Sequence, residues 1–104
     1  MTLTYPRTKT IKRLFAVSGN RCCFPKCEHT LVDKISGKVT GIICHIKGKK
    51  EGSARYDPEQ SNEERHGFDN LLLMCPIHHD IIDDDEEKYT VAKLIQIKAD
   101  HETI

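Results

Sequence analysis

Apolar residues recur at helical spacing near both ends of the chain. Residues 8–17 contain apolar side chains three and four positions apart, which predicts an amphipathic helix that ends before Gly19. Residues 91–101 repeat this period, and Thr90 stands in front of them as an N-cap. The predicted apolar faces are Ile11, Leu14 and Phe15 in the first helix and Val91, Leu94, Ile95 and Ile97 in the last.

Between these helices, the first half of the chain predicts a hairpin. Residues 31–33 and 39–45 are rich in strand-forming side chains, and Ser36-Gly37 between them is a turn signal. The second predicted strand ends on Cys44-His45. Before the hairpin, residues 21–28 hold three cysteines and a proline, which predicts a tight knuckle without regular structure.

The second half of the chain begins with a long polar segment and continues with a compact apolar run. Residues 47–67 have no apolar periodicity and predict a loop of about twenty residues, a length that is usually functional or mobile. Residues 69–74 end in three leucines and a methionine, which predicts a buried strand or turn. Pro76 suits the first turn of a helix over residues 76–83. The predicted fold class is therefore α+β.

The size and composition of the chain favour a single domain that is stabilised by a metal. With 104 residues, 38% of them hydrophobic, and no tryptophan, residues 1–104 are expected to form one domain with a thin core. No apolar stretch reaches the roughly 18 residues that cross a bilayer, and the first residues lack the apolar core of a secretory signal. We expect a cytoplasmic protein without a membrane partner, either complete or part of a longer chain.

The net charge of zero hides a strong asymmetry between the two halves. Residues 1–50 contain eleven Lys and Arg and two acids, a net charge of +9, whereas residues 51–104 contain five basic and fourteen acidic residues, a net charge of −9. A cationic half suits contact with phosphates, and an acidic half suits solubility or a hard cation. Two faces that pair with each other in the fold would explain the same pattern.

Two pairs of closely spaced ligands predict a structural zinc site. Structural zinc takes four Cys or His ligands in a tetrahedron, and cysteines interleaved with histidines favour metal binding over disulfides in a chain without a signal peptide. One pair is Cys75 with His78. The other is Cys27 with either Cys22 or Cys23, and we favour Cys22 because its longer spacing leaves room for a turn. Buried cysteines with an exposed histidine are the alternative without a metal.

Three further side chains predict a site that hydrolyses a phosphodiester. This reaction needs a base for water, a cation at the phosphate and contacts that hold the backbone. His79 and Asp83 are four residues apart on the predicted helix, so both project from one face and can bind one divalent ion. His45, at the end of a predicted strand, is the candidate base. Because neighbouring helical residues diverge by about 100°, His78 serves the zinc while His79 serves the catalytic ion.

The chain contains an ordered set of short motifs: Cys44-His45-Ile46, Asp69-Asn70-Leu71 and Cys75-Pro76-Ile77-His78-His79, followed by Asp83. This set resembles the signature of the HNH endonucleases. The resemblance implies a ββα-metal fold braced by the structural zinc, with a helix flanking it at each end. It also implies that His45 is the general base, that Asn70 orients the loop carrying it, and that His79 helps to bind a catalytic Mg²⁺ or Mn²⁺. The similarity is greatest to bacterial HNH domains, some of which serve restriction or defence against phage.

Cys44 departs from the pattern of the family. Many members have Asp at this position, where it ligates the metal, and a thiolate is a poor ligand for Mg²⁺. We favour a site in which His79 and Asp83 hold the ion together with water and a substrate phosphate, and a softer catalytic metal is the alternative. Cys44 itself is interpreted as a buried strand residue, with ligation of the catalytic metal or of zinc as alternatives.

Basic residues beside the candidate base indicate a nucleic acid substrate. Lysines directly after His45 predict salt-sensitive contacts to the DNA backbone with little readout of sequence. Arg55 in the long loop is a candidate clamp for the scissile phosphate, and a salt bridge to Asp57 or Glu59 is the alternative. His66 is interpreted as a loop residue and not as a ligand. The expected DNA contacts are Lys47, Lys49, Lys50 and Arg55.

Together these residues predict a metal-dependent DNA endonuclease of low sequence specificity. The main alternative is a non-catalytic zinc module that binds nucleic acid, and a third is an HNH scaffold used for protein interaction. The presence of His45, Asn70 and His79 in one chain favours the enzyme. Because an unrestrained nuclease would be toxic, we also expect a regulatory partner or a fused sensor domain.

Overall fold

Helices flank a two-stranded antiparallel sheet in this protein, which is described over residues 3–102 by a computed structural model. The arrangement has the α+β composition that the sequence predicts. A short 3-10 turn at Phe68–Asn70 leads into the second strand. The elements are α1 (Thr8–Ser18), β1 (Ile42–His45), α2 (Asn62–Arg65), β2 (Leu71–Met74), α3 (Pro76–Asp84) and α4 (Val91–Glu102).

The three longer helices confirm the predicted bounds to within one residue. Gly19 follows α1 with φ of 64°, a left-handed conformation that ends the helix. Thr90 accepts a hydrogen bond from the backbone N–H of Lys93 at 3.2 Å, so it caps α4 as predicted. The predicted apolar face of α4 is wrong at Ile95, which is 52% exposed. Within residues 3–102, no helix combines the length and the apolar character that spanning a membrane requires.

The predicted hairpin is present around its turn, where the N–H of Asp33 donates to the carbonyl of Lys38 and the N–H of Thr40 to that of Leu31, but the second strand has a different partner beyond it. Val32 and Val39 form only an isolated bridge, and β1 pairs with β2, from Ile42 opposite Met74 to His45 opposite Leu71. The reason is burial: every residue of β2 is buried, so this strand needs cover on both faces as well as a partner strand. A position beside β1 gives β2 its partner strand, and the helices on either side cover its two faces.

Each face of the sheet packs against a different apolar cluster. Leu72 and Met74 point toward α3 and α4, whereas Leu71 and Leu73 point toward α1, as the alternation of a strand requires. Cys44 lies on the first of these faces. The first cluster continues through Ile82, Tyr89, Leu94 and Ile97, and the second through Leu14 and Leu31.

The cysteine-rich knuckle is folded as predicted and is attached to the sheet. A bridge between Arg21 and Thr30 closes it, and the backbone N–H of Cys27 donates to the carbonyl of Phe24 at 3.1 Å. The N–H of Cys23 donates to the carbonyl of Leu73 at 2.9 Å. The knuckle is therefore held next to the end of β2, where α3 begins.

Candidate metal centre and adjoining cleft

Four side chains from the knuckle and from the start of α3 form a cluster suited to a metal. One ligand atom from each lies within 4.8 Å of the others. His78 Nδ1 is 3.7 Å from Cys22 Sγ and 3.4 Å from Cys75 Sγ. In a tetrahedral zinc site, bond lengths of about 2.3 Å to sulfur and about 2.0 Å to nitrogen separate such ligands by roughly 3.5 Å. The cluster of Cys22, Cys27, Cys75 and His78 thus has the chemistry and spacing to hold zinc.

The N-terminus of α3 and an aromatic ring set the position of His78. Cys75 is the N-cap of the helix, and His78 is three residues further on, so the two side chains meet over the first turn. The ring of Phe24 stacks on His78 with centroids 4.0 Å apart and an angle of 3° between the planes. This stacking restricts rotation of the imidazole and keeps Nδ1 directed at the sulfur atoms.

Cys23 and Cys44 lie outside this cluster. Cys23 Sγ faces α4, 3.8 Å from the carbonyl of Ile97, and burial raises the pKa of its thiol to about 12. Cys44 is buried on the core face of β1, and burial raises the pKa of its thiol well above the ordinary range. Both side chains are neutral thiols packed in the core, and the structure places Cys22 in the cluster in place of either.

A cleft beside the metal cluster brings together residues from three parts of the chain. Its volume is about 640 Å³. It is lined by His45 at the end of β1, by Lys49 in the loop after β1, and by His79 and Asp83 of α3. His79 Nε2 lies 3.4 Å from Asp83 Oδ2. Because one helical turn separates these two residues, both offer a donor atom to the same point in the cleft.

The candidate base contacts a second histidine. His45 Nε2 lies 3.1 Å from Nδ1 of His66, a residue that is only 4% exposed. Burial first, and then the nearby charges of His66, Lys49 and Arg65, lower the pKa of His45 to about 4. His45 is therefore neutral near pH 7, the form that accepts a proton.

His66 lies in a turn within the predicted loop, outside the helices and strands, but its side chain is buried. It follows α2, a single helical turn inside the predicted loop, and its backbone N–H donates to the carbonyl of Asn62 at 3.0 Å. A capping box between Ser61 and Glu64 forms this turn, and that motif is the sequence signal that could have located it. The contact with His45 joins residues 21 positions apart, which no local pattern indicates.

Asn70 fixes the backbone that follows His45. Its side-chain oxygen accepts from the N–H of Lys47 at 2.9 Å, and its amide donates to the carbonyls of Lys47 and Arg65 at 3.0 and 2.9 Å. The side chain is 7% exposed, so these hydrogen bonds are shielded from water. Asn70 therefore holds the segment after His45 next to the end of α2.

Arg55 is bound within the protein, so its expected role as a phosphate clamp is not supported. The side chain of Arg55 is 4% exposed, and its guanidinium forms a 2.7 Å salt bridge to the carboxylate of Asp83. The alternative pairing with Asp57 or Glu59 is also wrong, because the loop folds back onto α3 and not onto itself. The other acceptors of the guanidinium are the carbonyls of Ile46, Ile82 and Tyr89.

The three lysines after His45 differ in availability. Lys47 Nζ lies 2.9 Å from Asp57 Oδ2, so this lysine is already paired. Lys49 and Lys50 are exposed, and together with His66 they line a second cavity of about 240 Å³. Two salt bridges connect the basic and acidic halves of the chain: Lys47 with Asp57, and Arg7 with Glu63 at 2.6 Å. Pairing between the halves thus accounts for part of the charge asymmetry.

No protein-family model matches this sequence, and no curated protein is detectably similar to it. The resemblance to HNH endonucleases therefore remains a prediction from the motifs. What the structure adds is the position of the motif residues. A cluster that could hold a metal lies at the first turn of α3, and His45, His79 and Asp83 line a cleft whose other walls are mainly apolar.

Proposed function

We propose that this chain is a metal-dependent endonuclease of the HNH type that hydrolyses phosphodiester bonds in DNA with low sequence specificity. The observation that carries the proposal is that His45, His79 and Asp83, which come from separate motifs, line one cleft. Exposed Lys49 at the same cleft suits the phosphate backbone of the substrate. A role in restriction or phage defence, in the cytoplasm and under control of a partner or fused domain, would suit such an enzyme.

The residues of the cleft divide the reaction between them. His45, neutral near pH 7, takes a proton from the attacking water, and Asn70 holds the backbone after His45 in place. Mg²⁺ or Mn²⁺ held by His79 and Asp83 would stabilise the charge that develops on the phosphate and on the leaving oxygen. Two protein ligands suit Mg²⁺, which usually keeps several waters. Products with 5′-phosphate and 3′-hydroxyl ends are expected.

Zinc in the neighbouring cluster would serve the cleft structurally. Two of the four proposed zinc ligands, Cys75 and His78, belong to the first turn of α3, and His79 is the next residue. Fixing this turn against the knuckle fixes the direction of His79. The cluster therefore supports the cleft without taking part in the reaction. In a small ββα-metal fold, zinc at this position would hold α3 rigidly.

One observation favours the non-catalytic alternative, a zinc module that binds nucleic acid. Asp83 Oδ1 is already occupied by the guanidinium of Arg55 at 2.7 Å, which reduces the negative charge available to a divalent ion. Oδ2 of the same carboxylate faces His79. The proposed catalytic ion thus depends on one carboxylate oxygen and one imidazole.

Nicking of supercoiled plasmid distinguishes the two functions. The wild-type protein should convert the plasmid to open circles with Mg²⁺ or Mn²⁺, and chelation of the added ion or the substitution His45→Ala should abolish conversion. His29→Ala, at an exposed histidine of the knuckle, is the matched control and should keep full activity. If the plasmid stays supercoiled with every metal while the protein still binds it, the zinc module is the correct function.

Metal analysis of the same samples tests the structural site. We expect about one tightly bound zinc per chain, and Cys22→Ala should lose it, because one of four ligands is removed. Cys23→Ala should keep the zinc, since this thiol faces α4. Equal zinc contents in the two variants would show that the cluster is not the binding site.

A further inference from the structure

His45, which lines the cleft, contacts His66, which lines the neighbouring cavity beside Lys49 and Lys50. His45 Nε2 and His66 Nδ1 are 3.1 Å apart, and the two rings are nearly perpendicular at 87°. This separation is that of an N–H···N hydrogen bond. When both rings are neutral, one of the two facing nitrogens carries the hydrogen and the other accepts it.

The positions of both histidines are fixed by the same buried side chain. Asn70 binds the backbone of Lys47, two residues after His45, and also the carbonyl of Arg65, which directly precedes His66. The N–H of Ile46 donates to the carbonyl of Asn70 at 2.8 Å, which adds a further link to the same strand. The pair is therefore held by the fold on both sides, and it does not depend on two mobile loops that happen to meet.

Two nitrogens at this distance could also ligate one metal ion, but a third donor is missing. Among residues 3–102, the cluster of three or more possible ligands comprises Cys22, Cys27, Cys75 and His78, and neither His45 nor His66 belongs to it. Zinc in protein sites takes at least three protein ligands. A hydrogen bond is therefore the better description of the contact.

We propose that His66 is a positioning residue that accepts a hydrogen bond from Nε2–H of His45 and so leaves Nδ1 of His45 as the nitrogen that takes a proton from water. This inference rests on the proposed function, because a general base needs a free lone pair. With Nε2 facing His66, that lone pair belongs to Nδ1. The opposite arrangement, with hydrogen on Nδ1 of both rings, would leave His45 unable to act as a base.

The same hydrogen bond stabilises the product of the proton transfer. When water gives its proton to Nδ1, an O–H bond breaks, an N–H bond forms, and His45 becomes an imidazolium. The hydroxide forms a new P–O bond, the P–O3′ bond breaks, and the leaving 3′-oxygen takes a proton from solvent water. Burial opposes this charge, as do Lys49, Arg65 and His66 itself when it is protonated, so His66 supports the step only in its neutral form. The bond from Nε2–H to the neutral His66 becomes charge-assisted and stronger, which offsets part of that cost.

Nitrogen-15 NMR of the zinc-loaded wild-type protein tests the hydrogen position directly and requires no variant. We expect His45 to carry hydrogen on Nε2 and a lone pair on Nδ1. Hydrogen on Nδ1 of His45 would overturn the inference. Because this readout does not depend on nicking, hydrogen on Nε2 supports the inference even if the nuclease proposal fails in the plasmid assay.

Two substitutions separate positioning from mere packing. His66→Leu removes the acceptor and should lower kcat roughly 10- to 100-fold with KM changed less than about twofold, as is usual for supporting contacts of this kind. His66→Asn places an amide oxygen near the position of Nδ1 and should restore most of kcat. Equal kcat values in the two variants would refute the role, as would a second zinc per chain that disappears in His66→Leu.

Discussion

Adjacent residues of the same type lie in different environments in the fold. Cys22 faces the metal cluster while Cys23 faces the core, and His78 belongs to the cluster while His79 lines the cleft. The cause is backbone geometry: the N–H groups of Cys22 and Cys23 bind different neighbours, the carbonyls of His29 and Leu73, and successive helical residues diverge by about 100°. The residue type alone therefore does not assign a ligand, and the position in the element decides.

The buried histidine pair predicts a loss of stability in mild acid. Burial lowers the pKa of His45 to about 4 and also lowers the pKa of His66. In the unfolded chain both residues titrate near their ordinary pKa of about 6.5, so below this pH the unfolded state binds more protons than the folded state. The free energy of unfolding should fall as the pH decreases from about 6.5 toward 4.

Chemical denaturation at a series of pH values measures this effect, with His66→Asn as the comparison. The variant has one buried imidazole fewer, so its stability should depend less steeply on pH between about 6.5 and 5. Protonation of the metal ligands affects both proteins alike and cancels in the difference. Parallel curves for the two proteins would contradict the assignment of the acid sensitivity to this pair.

At the scale of elements, Arg55 connects the long loop to α3. Its guanidinium joins the carbonyls of Ile46 and Ile82 and the carboxylate of Asp83, and its backbone N–H donates to Glu86 at 2.6 Å. One buried side chain thus links the segment after β1, the loop and the C-terminal half of the helix. This role is structural, and it sets the orientation of Asp83 in the cleft.

Arg55→Met is therefore expected to destabilise the protein by about 3 kcal/mol, because it leaves a carboxylate and buried carbonyls without a donor. Arg55→Lys should recover little of this loss, since an ammonium cannot reach the same set of acceptors. Urea denaturation gives the free energies, and Lys49→Met at an exposed position is the control. Unchanged stability of Arg55→Lys, combined with lost nicking, would restore the phosphate-clamp interpretation.

The sequence predicts those elements whose signals are local. The helices follow from apolar spacing and from Pro76 and Thr90, and the metal cluster follows from two short ligand spacings. The pairing of β1 with β2 and the contact of His45 with His66 could not be predicted, because they join residues 21 to 32 positions apart through tertiary packing. Arg55 was misassigned for the same reason, since its partner Asp83 lies 28 residues away.

At the scale of the whole molecule, the charge asymmetry is only partly neutralised by internal pairs. Arg7 with Glu63 and Lys47 with Asp57 join the two halves, whereas Lys49 and Lys50 remain exposed beside the cleft. Exposed lysines release counterions when they meet DNA phosphates. Their contribution to binding should therefore appear in the salt dependence of affinity.

Binding of a labelled duplex, followed by fluorescence anisotropy without added divalent ion, measures this dependence. Lys49→Ala and Lys50→Ala should each reduce the slope of log affinity against log salt by about 0.9. Lys47→Ala should change the slope much less, because its ammonium is already paired with Asp57. Lys34→Ala, at an exposed residue away from the cleft, is the control. Equal slopes for all four variants would show that DNA binds elsewhere.

Helix α3 also limits how the length of this chain can change. Inserting one residue between Cys75 and His79 would rotate everything after it by about 100° and shift it by about 1.5 Å along the axis. No rearrangement of side chains would keep both His78 in the metal cluster and His79 in the cleft. Added residues in the turn at Ser36-Gly37, which is exposed and contributes no residue to either site, would be tolerated. Domains fused to this protein should therefore enter at that turn or at the chain ends.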